Sequence, residues 1–236
     1  MQKWILITGA SSGIGRIIAK YIDSCGYHVV LLARNKEKLE SIQAELVRES
    51  LVISFDLTDL SGIESIFEVC QNTGIKLDGL VHCAGTGNVV PIRNTSAEDL
   101  ILTMKTNFFS FFELGKCFSL RNYSNTGASI IAISSISPLT CLPGSAAYAA
   151  SKASINTVVR VMSKEFMKRK IRVNAILPGY VNTPLGPAED DVNYIAQQPL
   201  GIIKAEYVAY FTEYLLSDKA KYMTGTLFPM SGGMAF

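Results

Sequence analysis

The sequence predicts an α/β chain: one sheet of seven parallel strands, doubly wound, with helices covering both faces. Three observations carry that prediction. Short apolar runs recur at Trp4–Thr8, His28–Leu32, Leu51–Phe55, Gly79–His82, Ser129–Ser134, Arg172–Ile176 and Thr226–Pro229. Between them lie longer stretches of helical periodicity, among them Gly13–Cys25, Lys36–Arg48, Ser61–Gln71, Asn107–Leu120 and Tyr148–Lys170. The runs are continuously apolar rather than alternating, as strands buried on both faces have to be.

The elements bring chemistry with them in order. The first strand ends in Thr8-Gly9-Ala10-Ser11-Ser12-Gly13-Ile14-Gly15, and a helix follows. A tight glycine turn lets the main chain approach a pyrophosphate, and the helix N-terminus presents free N–H groups and a favourable dipole. The second strand leads to Leu32-Ala33-Arg34-Asn35, where a dinucleotide fold presents a residue to the adenosine ribose. No carboxylate stands there; Arg34 offers a cation to a 2′-phosphate, or is a solvated loop residue. The third strand ends at Asp56-Leu57, and Asp56 also reads as a turn or capping residue. The fourth runs into His82-Cys83-Ala84-Gly85, with His82 expected to be buried and structural. Asn107 lies in the next helix, and Ser135 follows the fifth strand, with Ser134 as its neighbouring alternative. Tyr148 and Lys152, four apart on one helix, share a face. The sixth strand opens into the irregular stretch Pro178–Pro199, of which residues 184–199 form a candidate substrate lid.

Composition bounds the remaining classes. The 236 residues are 48% hydrophobic and 18% charged, which excludes global disorder. No linker, charge block or repeat marks a boundary, so residues 1–236 are read as a single domain. Lys and Arg total 22 against 20 Asp and Glu, and a net charge of +2 offers no general attraction for nucleic acid or an anionic membrane. Mean hydropathy is +0.25, yet no stretch approaches the roughly 20 predominantly apolar residues of a spanning helix. The apolar start stops at Thr8-Gly9, short of a signal-peptide core. Five scattered cysteines without a C-x-x-C pair, and only two histidines, predict neither a disulfide framework nor a metal site. A reduced, cytoplasmic protein is expected.

Gly9-x-x-x-Gly13-x-Gly15 resembles the TGxxxGxG turn of the short-chain dehydrogenase/reductase family, and further matches follow in the same order along nearly the whole chain. The resemblance implies a Rossmann-type domain holding a nicotinamide cofactor. Gly9, Ser11, Ser12, Gly13, Ile14 and Gly15 would line the pyrophosphate, Arg34 the ribose, Asp56 and Leu57 the adenine, and Ala84 and Gly85 the path between. Tyr148, Lys152, Pro178, Gly179, Val181 and Thr183 would meet the nicotinamide end. NADP(H) is favoured over NAD(H), because the acidic residue that favours NAD is missing at Ala33, although Ser12 stands where some NADP-dependent members carry a basic residue.

The same resemblance implies a catalytic tetrad of Asn107, Ser135, Tyr148 and Lys152, and no metal. Tyr148 would be the acid/base, its phenol drawn below the usual value of about 10 by Lys152. Ser135 would donate to the substrate oxygen, and Asn107 would hold a water linking Lys152 to solvent. The expected reaction is hydride transfer between nicotinamide and a carbonyl or secondary alcohol. Two departures stand out: His82-Cys83 replaces the usual Asn-Asn, removing hydrogen bonds that brace the sheet, and Ser231 replaces a common Asp.

The pattern, including Ser231-Gly232-Gly233-Met234, looks closest to 3-oxoacyl-(acyl-carrier-protein) reductases. The run Lys168-Arg169-Lys170-Ile171-Arg172 reads as a docking surface for an acidic acyl-carrier protein or as a solvated helix end complementing the dipole. Helices Leu100–Leu120 and Tyr148–Lys170, with Phe108, Phe109, Phe111 and Phe112, imply a homodimer or homotetramer, or simply cover their own sheet. An acyl thioester, steroid, sugar or small diketone all fit, with Pro138–Ala147 and the lid shaping the choice. A non-catalytic dinucleotide-binding regulator and a nucleotide-sugar epimerase or dehydratase are the alternatives. The complete tetrad argues against the first, the glycine spacing and short C-terminal region against the second.

Overall fold

The computed structural model describes residues 2–183 and 196–234. The seven expected strands are present as β1 (Trp4–Thr8), β2 (His28–Ala33), β3 (Ser50–Ser54), β4 (Leu77–His82), β5 (Ser124–Ile133), β6 (Arg172–Pro178) and β9 (Leu227–Met230). They form one sheet in the order β3-β2-β1-β4-β5-β6-β9, and every pairing is parallel. A separate two-stranded piece, β7 (Val181–Asn182) with β8 (Ile203–Lys204), was not anticipated.

The continuous apolar runs have their cause in two cores, one on each face. Leu6, Val30, Leu32, Ile130, Ala132 and Val173 point into one core. Ile5, Ile7, Val29, Leu31, Ile131 and Ile176 point into the other. Each strand residue therefore meets an apolar layer whichever way it faces. Helices α3 (Ile63–Asn72), α5 (Ser110–Phe118) and α7 (Ala146–Glu165) cover the first face; α1 (Gly13–Ser24), α2 (Lys36–Gln43) and α8 (Ala205–Leu216) cover the second. The shorter α4 (Ala97–Met104) and α6 (Ser137–Thr140) flank them. In α8 the buried Val208, Ala209, Thr212, Leu215 and Leu216 follow helical spacing.

Three helices differ from expectation, each for a local reason. Lys36–Arg48 stops at Gln43, because the buried Asp23 carboxylate takes the N–H groups of Val47 and Arg48, both at 2.9 Å. Tyr148–Lys170 gives way after Glu165 to a 3₁₀ turn that ends at Lys170 in the left-handed region, φ 56°. Asn107–Leu120 begins within a π-helical turn, Lys105–Phe109, that joins α4 to α5. Of the candidate lid, only residues 196–199 lie within the described part of the chain. Among the described residues no helix is long and apolar enough to cross a membrane.

Strand order reverses between β1 and β4, which opens a crevice beyond their C-terminal ends. The glycine turn after β1, Ala84-Gly85 after β4, Ser135 after β5 and Pro178-Gly179 at the end of β6 all lie at that edge.

Candidate active site

The turn after β1 is glycine-rich for two physical reasons. Gly9 and Gly13 adopt positive φ, 64° and 51°, which a side chain disfavours. Close approach supplies the other: a Cβ on Gly9 would lie 2.9 Å from the Ala84 main chain, and one on Gly15 would collide with the Gly9 carbonyl oxygen. Ser12 enters α1 in extended conformation without a side-chain cap, so its own side chain satisfies none of the first-turn N–H groups. A Cβ on Gly13 would sit 3.6 Å from Thr183, which brings the segment after β6 against the same turn. This glycine turn at a helix N-terminus fits a pyrophosphate.

At the ribose end Arg34 is exposed, and the Asn35 side chain caps α2 through the Lys38 N–H at 2.7 Å. Asp56 forms a local turn, accepting at Oδ1 from the Thr58 N–H and hydroxyl, each at 2.9 Å. These bonds hold its carboxyl below the usual range, with the nearby Arg34 charge adding to them. Asp56 is thus a turn former, one of the two readings the sequence offered. Leu57 is buried next to it.

At the other end, Tyr148 and Lys152 project from α7 toward the tips of β4 and β5. The Lys152 ammonium is buried, donates to the Ile133 carbonyl at 2.9 Å, and lies 5.7 Å from the Tyr148 ring centroid. Desolvation pushes it down to about 8. The expected lowering of Tyr148 by Lys152 is not what the structure holds: burial raises the phenol, and the neighbouring Ser135 hydroxyl opposes the rise. Ser135 accepts the Ser137 N–H at 3.0 Å, which orients its hydroxyl. Ser134 faces the opposite way and bonds Asn156 at 2.7 Å, so Ser135 is the serine that meets Tyr148. Gly87 lies against the Tyr148 ring, where any Cβ would collide.

Asn107 is fully buried, and its side-chain amide is clamped by the chain itself. Oδ1 accepts from Thr86 N–H at 2.8 Å, while Nδ2 donates to the Thr86 carbonyl at 2.8 Å and Ser151 Oγ at 2.9 Å. Two further residues went unrecognised in the sequence. Ser151 links this amide to the Tyr148 carbonyl at 2.7 Å. Gln198, fully buried, accepts from the Tyr180 N–H at 2.8 Å and donates to the Tyr180 and Gly201 carbonyls, stapling the Pro178-Gly179 turn. Val181 is buried in β7 beside it.

The missing Asn-Asn brace is rebuilt from other atoms. His82 is fully buried, with Nδ1 3.1 Å from Thr8 Oγ1 and Nε2 3.1 Å from the Asn107 carbonyl. Burial and the Lys152 charge push the imidazole down to about 3, and burial pushes the adjacent Cys83 thiol up to about 12. Both are neutral at physiological pH.

Residues 9–235 match the protein family described as Enoyl-(Acyl carrier protein) reductase. A 3-oxoacyl-[acyl-carrier-protein] reductase FabG from Rickettsia conorii is 34% identical, over 98% of this chain and 96% of that protein. The chain belongs to the short-chain dehydrogenase/reductase family. The FabG of Haemophilus influenzae is 30% identical over 98% of both chains. The solved structure of 4-hydroxyisoleucine dehydrogenase complexed with NADH shares 29% identity and superimposes with a TM-score of 0.91 over 98% of each chain. This short-chain dehydrogenase/reductase is therefore an oxidoreductase with a nicotinamide dinucleotide as its cofactor.

The buried histidine makes the family member acid-sensitive in a calculable way. Its folded pKa of about 3 lies below the unfolded value, so its contribution to stability is complete above that value and is lost as pH falls through the window between them. Starting from an unfolded pKa of about 6.5, urea unfolding is expected to show a loss of about 2 kcal/mol by about pH 5 from this group alone. His82→Gln flattens that slope if the assignment holds; an unchanged slope contradicts it.

Proposed function

We propose that this chain transfers hydride between NADP(H) and a carbonyl or secondary alcohol, with a 3-oxoacyl thioester as the substrate class. The observation that carries the reading is the convergence of Tyr148, beside Ser135, with the buried Lys152 ammonium at the tips of β4 and β5. When bound, the nicotinamide supplies the hydride to the carbonyl carbon, or takes it back in the reverse direction. Tyr148 gives its phenolic proton to the developing alkoxide, keeping the product neutral. Ser135, oriented by the Ser137 N–H, donates to the same oxygen as charge builds. Lys152 stabilises the phenolate that remains, and its low pKa reflects how little water reaches it. Asn107 serves by holding α7 in place through Ser151.

For the cofactor, the exposed Arg34 after β2 and the absence of a carboxylate at Ala33 support NADP(H). For the substrate, the names of the FabG relatives support an acyl thioester. So does an apolar rim beside Tyr148: the Gly87 and Gly144 loops are joined by the Val90 N–H to the Gly144 carbonyl at 2.9 Å, and Val89, Ile92, Leu139 and Leu142 stand exposed on them. The basic run does not favour carrier docking there. Arg169 bonds Ser119 and Ser124, Arg172 bonds the Leu216 and Ser217 carbonyls, and the run leads into the start of β6, at the opposite end of the strands from Ser135. Leu100, Ile101 and Leu102 on α4, Phe109, Phe112 and Val161 are exposed, whereas Phe111 is core. Such an apolar face supports a homodimer or homotetramer.

Three outcomes are expected. Acetoacetyl thioester reduction, followed by nicotinamide absorbance, proceeds with NADPH in preference to NADH, and Tyr148→Phe lowers kcat by roughly 10²- to 10⁴-fold. Failure of the thioester alongside turnover of simple ketones removes the acyl assignment. Arg34→Glu weakens NADPH relative to NADH by roughly ten- to hundredfold, the size of a lost charged hydrogen bond; equal effects on both cofactors place Arg34 outside the site. Sedimentation gives a multiple of the 25.7 kDa chain mass, and a monomer alone overturns the oligomer.

A further inference from the structure

Thr8 Oγ1 has three neighbours at 3.1 Å: the N–H groups of Cys83 and Ala84, and Nδ1 of His82. The two amides only donate, and a hydroxyl oxygen has two lone pairs and one proton. Both lone pairs are taken, so the Thr8 proton goes to Nδ1. A neutral imidazole that accepts at Nδ1 carries its hydrogen on Nε2, which lies 3.1 Å from the Asn107 carbonyl, a group that only accepts. The tautomer is thus determined from both sides. The ring is fully buried against Phe111, centroids 5.3 Å apart.

The bond to Asn107 falls inside the π-helical turn. There the Ser110 N–H reaches back to the Lys105 carbonyl, the longer spacing that widens the turn. Two consecutive carbonyls in this turn receive side-chain donors: Thr106 from Ser110 Oγ at 2.6 Å, Asn107 from His82 Nε2. With its carbonyl held toward β4, Asn107 reaches Ser151 on α7 with its amide, and Ser151 donates to the Tyr148 carbonyl.

We propose that His82 is a positioning residue for Tyr148, acting through the Asn107 carbonyl and the Asn107–Ser151 hydrogen bond, with its Nε2 proton as the working contact. The effect on turnover rests on the reductase reading above; the effect on the Tyr148 environment does not. The hydrogen-bonded series begins on β1, which carries the phosphate turn, and ends on α7, which carries Tyr148 and Lys152. It ties the cofactor half of the site to the proton-transfer half across the point where strand order reverses. Of the other titratable groups near the ring, Lys152 faces it from α7 and Cys83 follows it in sequence.

Two substitutions separate the ring's two bonds. The amide of asparagine reaches the Nδ1 position and keeps the Thr8 contact alone. The longer glutamine reaches the Nε2 position and keeps the Asn107 contact alone. In the full chain, His82→Asn is expected to lower kcat about tenfold or more, as small misplacements of a reacting group do, with KM and the calorimetric NADPH Kd little changed. His82→Gln restores most of that kcat. Carbon NMR of ring-labelled tyrosine, with Tyr148 assigned through Tyr148→Phe, shows its titration displaced in His82→Asn and returned in His82→Gln. Nitrogen NMR of the unaltered protein finds the His82 proton on Nε2.

A proton on Nδ1 overturns the proposal, and so does equal behaviour of the two variants in the tyrosine titration. If the unaltered protein reduces no carbonyl, the reductase reading falls while the titration still decides the positioning role. Should His82→Asn fail to fold, Ser151→Ala cuts the series one bond from Tyr148. It is expected to displace the same titration, and an unmoved Tyr148 contradicts the proposal.

Discussion

The structure depends on the complete satisfaction of one buried residue. Asn107 has no exposure, so each of its polar atoms needs a partner inside the protein, and the partners come from three separate elements. Thr86 follows β4, Ser151 belongs to α7, and His82 ends β4 while bonding β1. A buried network of this kind is intolerant of partial loss, because each broken bond leaves a desolvated group behind. Its geometry therefore fixes how far the helix bearing Tyr148 and Lys152 stands from the glycine turn. The approach of Gly9 to the Ala84 main chain sets the same distance from the other side.

Electrostatics follows from that closure. Lys152 is the buried cation of the site, and it is stabilised by a carbonyl rather than by a carboxylate. Neighbouring groups are kept uncharged: the His82 imidazole is pushed down and the Cys83 thiol up, both by burial. Among the described residues, burial thus leaves Lys152 as a cation next to a Tyr148 phenol that retains its proton. That arrangement suits a reaction in which negative charge appears on a substrate oxygen and must be neutralised without water.

Much of this was legible in the sequence where residue type and spacing have a physical cause. Gly9, Gly13 and Gly15 could be read because only glycine accepts those backbone angles and contacts. Continuous apolar strands could be read because two cores demand them, and Tyr148 with Lys152 because helical spacing puts them on one face. The choice of Ser135 over Ser134 was within reach, and the alternation of side chains at the end of β5 explains it: one meets Tyr148, the other Asn156. The π-helical turn was not legible, since Lys105–Phe109 has the composition of ordinary helix and the widened turn arises from donors distant in sequence. For the same reason His82 could be read as buried but not as the replacement brace. Gln198 carries no local signal at all; its role appears only once the Pro178-Gly179 turn and Gly232 close around it.

The account stands or falls on direct hydride transfer. The deciding measurement uses NADPH carrying deuterium at the nicotinamide carbon that releases hydride, with an acetoacetyl thioester, and mass spectrometry of the product. Deuterium on the new carbinol carbon, in product that forms far more slowly when Tyr148 is replaced by phenylalanine, is the predicted result. Unlabelled product, or oxidation of the cofactor without any reduced thioester, contradicts it.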